Sequence, residues 1–341
     1  MTGNAYCTLF DSNYFSRGVA MCESLVRHSP GARIYLFAFD VNCERAARAL
    51  RLPGVTVVPL RELEDEALAA ARLNRGWREY FWTCTPATIR YVINRFGEAA
   101  CTYVDADTYF FSSPAPLHEE LDGYDAMLTE HRFSPTCDST ATSGVYNVQF
   151  MPFRNTARGR AALEWWYTAC LQSCELNPAE GKCGDQKYLD DWPTRFHGIR
   201  ILQHLGGGVA PWNVQQYKFA ARDGRLVGEE LVTGTRFDLV FYHFHGLKLT
   251  QRGHVHLTNP GYPLAPEVVA LIYRPYIRKV LEIGKRIRAS GLEFDPHGTL
   301  AEPAPGLRAR LGRLARKGVS YLRGGFDQEA HRVRRIRDLT R

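Results

Sequence analysis

Two carboxylates one residue apart end an apolar run in the first half of the chain. The run is Cys101-Thr-Tyr-Val-Asp-Ala-Asp-Thr-Tyr-Phe-Phe111, and its carboxylates are Asp105 and Asp107. Side chains alternate along a strand, but both carboxylates can converge on one cation where a strand ends and the chain turns into a loop. Mg²⁺ and Mn²⁺ prefer such oxygen ligands and are often shared with substrate phosphates. The motif indicates a metal-held, phosphate-bearing substrate, with two solvated turn aspartates as the alternative.

Three segments of the second half also carry polar residues next to apolar ones. Residues 143–151 are predicted to form a strand, 184–192 a loop that enters a short helix, and 239–248 an apolar strand that ends in polar residues. Each has a structural explanation of its own, because a histidine beside aromatic residues is commonly a core residue. The polar residues of interest are Asn147, Asp185, Gln186, His243, His245, Gly246 and Lys248.

Alternating strands and helices must position these residues. Apolar runs predict strands at 5–10, 33–39 and 55–58 and a further one that ends at Asp105, with helices at 14–28, 44–52, 62–73 and 86–96. This order predicts an α/β fold with a mostly parallel sheet flanked by helices. Ligands of such sheets bind at the carboxyl ends of the strands, where Asp11 and Asp105 fall. This half contains neither a G-x-G-x-x-G nor a Walker phosphate loop.

Composition restricts the class of protein. The chain has 341 residues, of which 45% are hydrophobic and 12% aromatic, which is typical of a globular protein. We expect no membrane-spanning helix and no secretory signal, since no long uninterrupted apolar run is present. Nine cysteines, an odd number without paired spacing, indicate reduced thiols and a cytoplasmic location.

Positive charge is concentrated in the last quarter of the chain. Residues 272–341 contain 17 Lys and Arg against 7 Asp and Glu, while the preceding part has 26 and 29. Within this quarter, residues 307–322 place leucines near helical spacing among arginines, which predicts a short basic amphipathic helix. Such a helix can bind an anionic membrane or dock on the protein body. Nucleic acid is not expected as a partner, because no nucleic-acid-binding motif is present.

The order of the motifs resembles the GT-A nucleotide-sugar glycosyltransferases, in particular family 8 and related bacterial nucleotide-diphospho-sugar transferases. The matching motifs are Asp-x-Asp at Asp105 and Asp107, Asp-Gln at Asp185 and Gln186, and His-Phe-x-Gly from His243 to Gly246. The resemblance runs over about residues 5–250. It implies a Rossmann-like GT-A catalytic domain over residues 1–255, and the charge pattern predicts a helical basic extension over 256–341.

The resemblance also implies a role for individual residues. Asp105, Asp107 and His243 would bind Mn²⁺ or Mg²⁺ with the donor diphosphate, with His245 as the alternative imidazole, and Asp185 and Gln186 would form the catalytic centre. The residues implied in binding the nucleotide sugar are Thr8, Phe10, Asp11, Asn13, Tyr14, Arg78, Arg90, Asp105, Ala106, Asn147, Gly246 and Lys248. The glycine-rich segment 206–213 resembles a loop beside the acceptor.

Two positions depart from the family pattern. Lys248 follows Gly246 by two residues instead of three, and Gln149 stands where a small residue normally follows the asparagine Asn147. We expect the second departure to reshape the sugar pocket.

The implied function is metal-dependent transfer of a hexose from a nucleotide diphosphate sugar, expected to be a UDP-sugar. The acceptor would be a glycan or a lipid-linked sugar of bacterial polysaccharide biosynthesis, reached at the inner face of the cell membrane. Retention of anomeric configuration is implied, with the leaving phosphate accepting the proton of the acceptor. The alternatives are a catalytically inactive GT-A scaffold that binds partners, and a Mg²⁺-dependent phosphatase, which would place its Asp-x-Asp on the first strand.

Overall fold

The structure is a computed structural model that describes residues 3–301 and 333–340. The strands are β1 Ala5–Phe10, β2 Arg33–Ala38, β3 Val55–Pro59, β4 Ala100–Val104, β5 Thr108–Phe110, β6 Ala126–Glu130, β7 Tyr146–Asn147, β8 Phe150–Arg154, β9 Leu176–Asn177, β10 Lys182–Cys183, β11 Ile199–Ile201, β12 Tyr217–Arg222, β13 Arg225–Glu230, β14 Arg236–Asp238, β15 Phe241–His243, β16 Lys248–Leu249, β17 His254–His256 and β18 Val333–Arg335. The helices are α1 Phe15–His28, α2 Val41–Leu50, α3 Leu60–Leu63, α4 Glu66–Leu73, α5 Trp77–Phe96, α6 Ala115–Glu119, α7 Thr140–Ser143, α8 Ala157–Gln172, α9 Trp192–Arg195, α10 Pro266–Val268, α11 Arg274–Ala289 and α12 Ile336–Thr340.

The central sheet has the strand order β11-β6-β8-β4-β1-β2-β3, with β7 paired to β6. Strands β3, β2, β1 and β4 run parallel, β8 is antiparallel to both β4 and β6, and β11 is parallel to β6. Every residue of β1 is buried, as expected of a parallel strand covered on both faces. The carboxyl ends of β1, β2 and β4 therefore meet at one edge of the sheet, and the predicted mostly parallel α/β architecture is confirmed.

Helices cover both faces of this sheet. On one face, α1 and α11 pack together and bury Phe15, Leu25 and Ile277. On the other face, α5 and α8 pack together and bury Ile89 and Trp166. The described residues form four smaller sheets besides the central one: β5 with β15, β9 with β10, β12-β13-β14, and β16-β17-β18.

Four predicted elements differ from the structure. The helix expected over residues 62–73 is divided into α3 and α4, and the strand expected over residues 239–248 is the shorter β15, followed by a turn before β16. The helix expected to begin at Pro86 begins at Trp77, so that the proline lies inside α5. The strand expected over residues 143–151 is divided into β7, which pairs with β6, and β8, which pairs with β4 and β6, with a turn between them in which the N–H of Gln149 donates to Oδ1 of Asn147. All nine cysteines lie in the part of the chain that the structure describes, and all are free thiols.

The region after residue 255 packs on the rest of the protein where it is described. Tyr276 and Ile277 of α11 are buried against the core, and a π-helical turn, Val269–Tyr273, joins α10 to α11. Strand β18 pairs with β17, and α12 buries Leu339 in the same core. The domain boundary at residue 255 stays a prediction. The predicted amphipathic helix at 307–322 lies outside the described residues.

Candidate functional site

The two carboxylates of the Asp-x-Asp motif lie on either side of a tight turn. Asp105 follows β4 directly and Asp107 immediately precedes β5. Thr108 closes the turn, because its backbone N–H and its hydroxyl both donate to the carbonyl oxygen of Asp105, at 3.1 and 2.9 Å. Ala106 is buried between the carboxylates. The turn holds both carboxylates at the carboxyl edge of the central sheet.

His243 completes a triad with these two carboxylates. Strand β15 pairs antiparallel with β5, and the register places His243 opposite Thr108. The Nε2 atom of His243 lies 3.1 Å from Oδ1 of Asp107 and 3.8 Å from Oδ2 of Asp105. All three ligand atoms lie within 4.8 Å of one another. Ligands on opposite sides of a cation, at about 2.0–2.6 Å each, are about 4–5 Å apart, so this donor set fits a divalent cation.

The ionisation of the triad reflects its burial and its close charges. The pKa of Asp105 is raised to about 6, mainly by burial. The positive charge of His243 opposes this rise, and the negative charge of Asp107 adds to it. Asp107 is also buried, but His243 outweighs this effect and lowers the pKa of Asp107 to about 2. Burial opposes charge on His243, yet Asp107 raises the pKa of the imidazole above its ordinary value. The two carboxylates thus attract positive charge to the place where a cation would bind.

Gln149 contacts two members of the triad. Its side-chain Oε1 lies 2.9 Å from Nδ1 of His243, and its backbone carbonyl accepts the N–H of Asp105 at 3.1 Å. Sequence reasoning could not find the contact with His243, because Gln149, in the turn between β7 and β8, and His243, on β15, are far apart in the chain. The expectation that Gln149 reshapes the sugar pocket stays a prediction.

Asp185 lies in a buried polar region beside the triad. The indole N–H of Trp166 donates to its backbone carbonyl at 2.9 Å. Burial raises the pKa of the Asp185 carboxyl to about 8, the charge of Asp105 adds to the shift, and a hydrogen bond from Thr85 opposes it. The carboxyl is therefore largely protonated at neutral pH in the metal-free protein.

Asn147 and Gln186, nominated from different motifs, touch each other. The Nδ2 group of Asn147 donates to Oε1 of Gln186 at 3.2 Å and lies 3.1 Å from Nε2 of His131. The amide of Gln186 donates in turn to the carbonyl oxygen of Ser143 at 2.7 Å. Two neutral amides thus connect Gln186 to β7.

Two residues that sequence reasoning did not nominate complete this side of the site. His131 is buried and stacks on Phe133 with 4.6 Å between ring centroids, and burial lowers its pKa to about 4. The Trp212 indole donates to the carbonyl oxygen of His131 at 2.9 Å, and its ring contacts His243 edge-on with centroids 5.3 Å apart. In the sequence, the glycine-rich segment 206–213 pointed toward Trp212, and nothing pointed toward His131.

The loop after β1 presents two exposed residues at the same sheet edge. Asp11 accepts hydrogen bonds from the backbone N–H groups of Asn13 and Tyr14 and from the Asn13 side chain, at 3.0 to 3.1 Å. Asn13 and Tyr14 are exposed, whereas Asp11 is buried beneath them. Thr8 and Phe10 are fully buried, and the Phe10 ring packs against Phe15. Asp11 thus shapes the loop, while Thr8 and Phe10 lie in the core under it.

The structure brings neither nominated arginine to the triad. Arg90 pairs with Glu164 at 2.7 Å on the face of α5 that meets α8, and Arg78 is exposed in the first turn of α5. Arg17 is closer to the triad than either, since its charge helps to lower the pKa of Asp107. Its buried guanidinium donates to the carbonyl oxygens of three segments, at Asn13, Leu247 and His297.

Gly246 and Lys248 follow β15 on the outer side of the triad. Gly246 has φ +78°, and a β-carbon there would lie 2.7 Å from Oδ1 of Asn259, so only glycine fits. Lys248 begins β16, opposite His256, and its side chain is exposed. His245, the alternative imidazole, is exposed and contacts Trp212 edge-on.

Comparison with solved structures defines the class of this fold. The galactosyltransferase LgtC, solved with donor and acceptor sugar analogues, covers 84% of this chain over 99% of its own length, with 13% identity and a TM-score of 0.53. An active-site mutant of LgtC gives the same TM-score at 12% identity. The protein has the GT-A fold of nucleotide-sugar glycosyltransferases.

Sequence comparison then places the chain in a family. It is 30% identical over 277 residues to the uncharacterised protein YfnD of Bacillus subtilis (strain 168), covering 80% of this chain and 87% of YfnD. It is 31% identical over 254 residues to the uncharacterised protein YfnF of the same strain, covering 72% and 82%. The chain belongs to the family of YfnD and YfnF. No family model matches it, and no helix of the described residues is long and apolar enough to cross a membrane.

Proposed function

We propose that this protein is a metal-dependent glycosyltransferase that moves a hexose from a nucleotide diphosphate sugar, a UDP-sugar in the first instance, to a glycan or lipid-linked acceptor. The observation that carries the proposal is the triad of Asp105, Asp107 and His243 at the carboxyl edge of a GT-A sheet, with Nε2 3.1 Å from the Asp107 carboxylate. A phosphatase with Asp-x-Asp on its first strand would not place the motif after β4 with a histidine from β15.

The triad accounts for how the leaving group would be stabilised. A divalent cation bound there would neutralise the charge that gathers on the departing nucleoside diphosphate, which is worth several kcal/mol. That cation would be held by Asp105, Asp107 and His243, and Lys248 is exposed nearby. Arg17 keeps the first loop, the segment after β15 and the segment at His297 in a fixed arrangement through its three carbonyl contacts.

Asp185 lies beside the place where the sugar would be transferred. Burial and the charge of Asp105 raise the pKa of the Asp185 carboxyl to about 8 in the metal-free protein, and a cation bound at Asp105 would offset the second of these effects. We propose retention, with attack by the acceptor on the same face from which the diphosphate leaves and without a covalent intermediate at Asp185. Gln186 and Asn147, held by each other, supply amide groups for the sugar hydroxyls.

The test is a screen of nucleotide sugars for Mn²⁺-dependent hydrolysis by the full chain, followed by acceptors with the best donor. We expect one UDP-sugar to be hydrolysed, with activity lost on chelation and restored by Mn²⁺. Binding of no nucleotide sugar, with or without Mn²⁺, would contradict the proposal and favour the inactive scaffold. Hydrolysis of a generic phosphate ester instead would favour the phosphatase.

A basic face supports the proposal of a cytoplasmic enzyme at the inner membrane surface. Arg274, Arg278, Lys285 and Arg288 are exposed on α11, and their spacing places them along one side of the helix. The residues between 302 and 332 contain seven Lys and Arg against three Asp and Glu, so this segment cannot neutralise that face. An extended anionic surface would complement both the basic face of α11 and residues 302–332. We propose that this surface is an anionic membrane that carries the lipid-linked acceptor.

A further inference from the structure

Gln149 is the residue through which the metal ligands from the two halves of the chain are connected. Its backbone carbonyl accepts the N–H of Asp105 at 3.1 Å, and its side-chain Oε1 lies 2.9 Å from Nδ1 of His243. Its own N–H donates to Oδ1 of Asn147 at 2.9 Å, which fixes the start of β8. The side chain is fully buried.

The chemistry of histidine makes the contact at Nδ1 consequential. A neutral imidazole carries one N–H, and a nitrogen can bind a cation only through its free lone pair. The carbonyl oxygen of Gln149 can only accept, so it retains the proton on Nδ1. In the metal-free protein the Nε2 proton faces Asp107, and Nε2 lies 3.8 and 3.1 Å from the carboxylates of Asp105 and Asp107. A cation would replace this proton and bind the Nε2 lone pair, while the proton on Nδ1 stays with Gln149. If the amide N–H faced the ring instead, the proton would move to Nε2 and block the cation.

From this geometry we infer that Gln149 is a positioning residue that sets the tautomer and ring orientation of His243 for the cation. The inference rests on the proposed function, since it concerns the metal of that site. Partners that hold the second nitrogen of a ligating histidine typically change metal affinity by about 10- to 100-fold when removed.

Packing alone does not explain a glutamine at this position. The Nε2 group of Gln149 is buried without a hydrogen-bond partner among the described residues. A leucine of similar volume would avoid burying that amide, which is unfavourable for folding. Among the described residues, the side chain of Gln149 makes one hydrogen bond, in which its Oε1 accepts from Nδ1 of His243. We infer that this hydrogen bond is the reason for a glutamine here.

The test compares three variants of the full chain by titration with Mn²⁺, using the electron paramagnetic resonance signal of the free ion. Gln149→Leu removes the acceptor, Gln149→Glu retains an oxygen at the same place, and Gln215→Leu is a matched control. The side chain of Gln215 bonds Ser134, Pro211 and Pro263 and does not contact the triad. We expect Gln149→Leu to weaken Mn²⁺ binding about 10- to 100-fold, Gln149→Glu to keep most of the affinity, and Gln215→Leu to leave it unchanged.

Thermal unfolding separates positioning from a general loss of structure. For Gln149→Leu we expect a metal-free Tm close to that of the wild type, because losing the acceptor of the His243 Nδ1–H offsets the removal of an unpaired amide, and we expect a smaller rise in Tm on adding Mn²⁺. Wild-type affinity in Gln149→Leu, or an equal loss in Gln149→Glu, would overturn the inference while leaving the metal site in place. A wild-type chain that binds Mn²⁺ no better than Asp107→Asn would instead refute the proposed function, and the inference with it.

Discussion

The Nε2 atom of His243 lies 3.1 Å from the Oδ1 atom of Asp107 because β15 pairs antiparallel with β5. A short ladder thus carries an imidazole from the second half of the chain to a carboxylate in the first. Both side chains are largely buried, so water competes weakly for this position. His243 and Asp107 thus define where a cation would bind, and substitution of either residue should abolish cation binding.

Asp107→Asn should abolish Mn²⁺ binding while preserving the fold. The amide removes the carboxylate charge that binds the cation and that raises the pKa of His243. Without the cation, the transition state loses several kcal/mol of stabilisation, so turnover should fall at least about 100-fold. Mn²⁺ affinity, donor hydrolysis and Tm measured together check this. Asp122→Asn is the matched control, because Asp122 is an exposed aspartate whose partner is Arg154. Unchanged Mn²⁺ affinity in Asp107→Asn would exclude the triad as the metal site.

Asp185 should make the stability of the metal-free protein fall as the pH rises. Its carboxyl has a pKa raised to about 8 by burial, against about 3.9 when unfolded. The folded state therefore binds the extra proton between these values, and the free energy of unfolding decreases with pH through that window. Asn cannot titrate, so Asp185→Asn should gain stability relative to the wild type from pH 4 to pH 8.

Urea unfolding of the two chains at pH 4, 6 and 8 measures this difference. Subtraction removes the contributions of Asp105 and His243 to first order, since both chains contain these groups. A difference between the two chains that does not change with pH would mean that Asp185 ionises normally in the folded protein.

The sequence predicts the parallel core of the fold because each of its strands is an apolar run followed by a turn. The first strands and helices occur within a few residues of their predicted positions. The start of α5 was missed, because proline favours a helix start. The earlier turns are stabilised by the packing of Trp77 and Tyr80 on Phe39 and by a capping hydrogen bond from the N–H of Gly76 to Glu79.

The site was predictable where motif order carried the information and not where tertiary contacts did. Asp105, Asp107 and His243 come together as the resemblance implies. Arg17 was missed because its acceptors include the carbonyl oxygens of Leu247 and His297, which are remote in sequence. Arg90 has a suitable place on α5 in the sequence, but its side chain turns toward Glu164.

Gly246→Ala should destabilise the protein more than Gly253→Ala, although both glycines have a positive φ. The angles are +78° and +73°, but a β-carbon at residue 246 would lie 2.7 Å from the Asn259 side chain, whereas nothing lies within 4 Å at residue 253. We expect about 1–2 kcal/mol for Gly253→Ala from the left-handed backbone. The clash should add about 1–3 kcal/mol for Gly246→Ala. Urea unfolding measures both; equal losses would show that Asn259 moves aside freely.

Removal of positive charge from α11 should release the protein from anionic vesicles. Substitution of Arg274, Lys285 and Arg288 by glutamine removes three exposed charges, each worth about 1 kcal/mol near the surface, so binding should weaken about 100-fold. Lys218, Arg222 and Arg225 of the β12–β13 hairpin, changed to glutamine together, form a control with the same change in net charge.

The contribution of residues 302–332 requires an internal replacement by a Gly-Ser linker of equal length. Truncation after residue 300 would also remove β18 and the buried Leu339, and so would confuse unfolding with release. We expect the linker variant to bind phosphatidylglycerol vesicles more weakly in a co-sedimentation assay, with donor hydrolysis in solution unchanged. Equal vesicle binding by the wild type, the α11 variant and the linker variant would place the membrane contact elsewhere or exclude it.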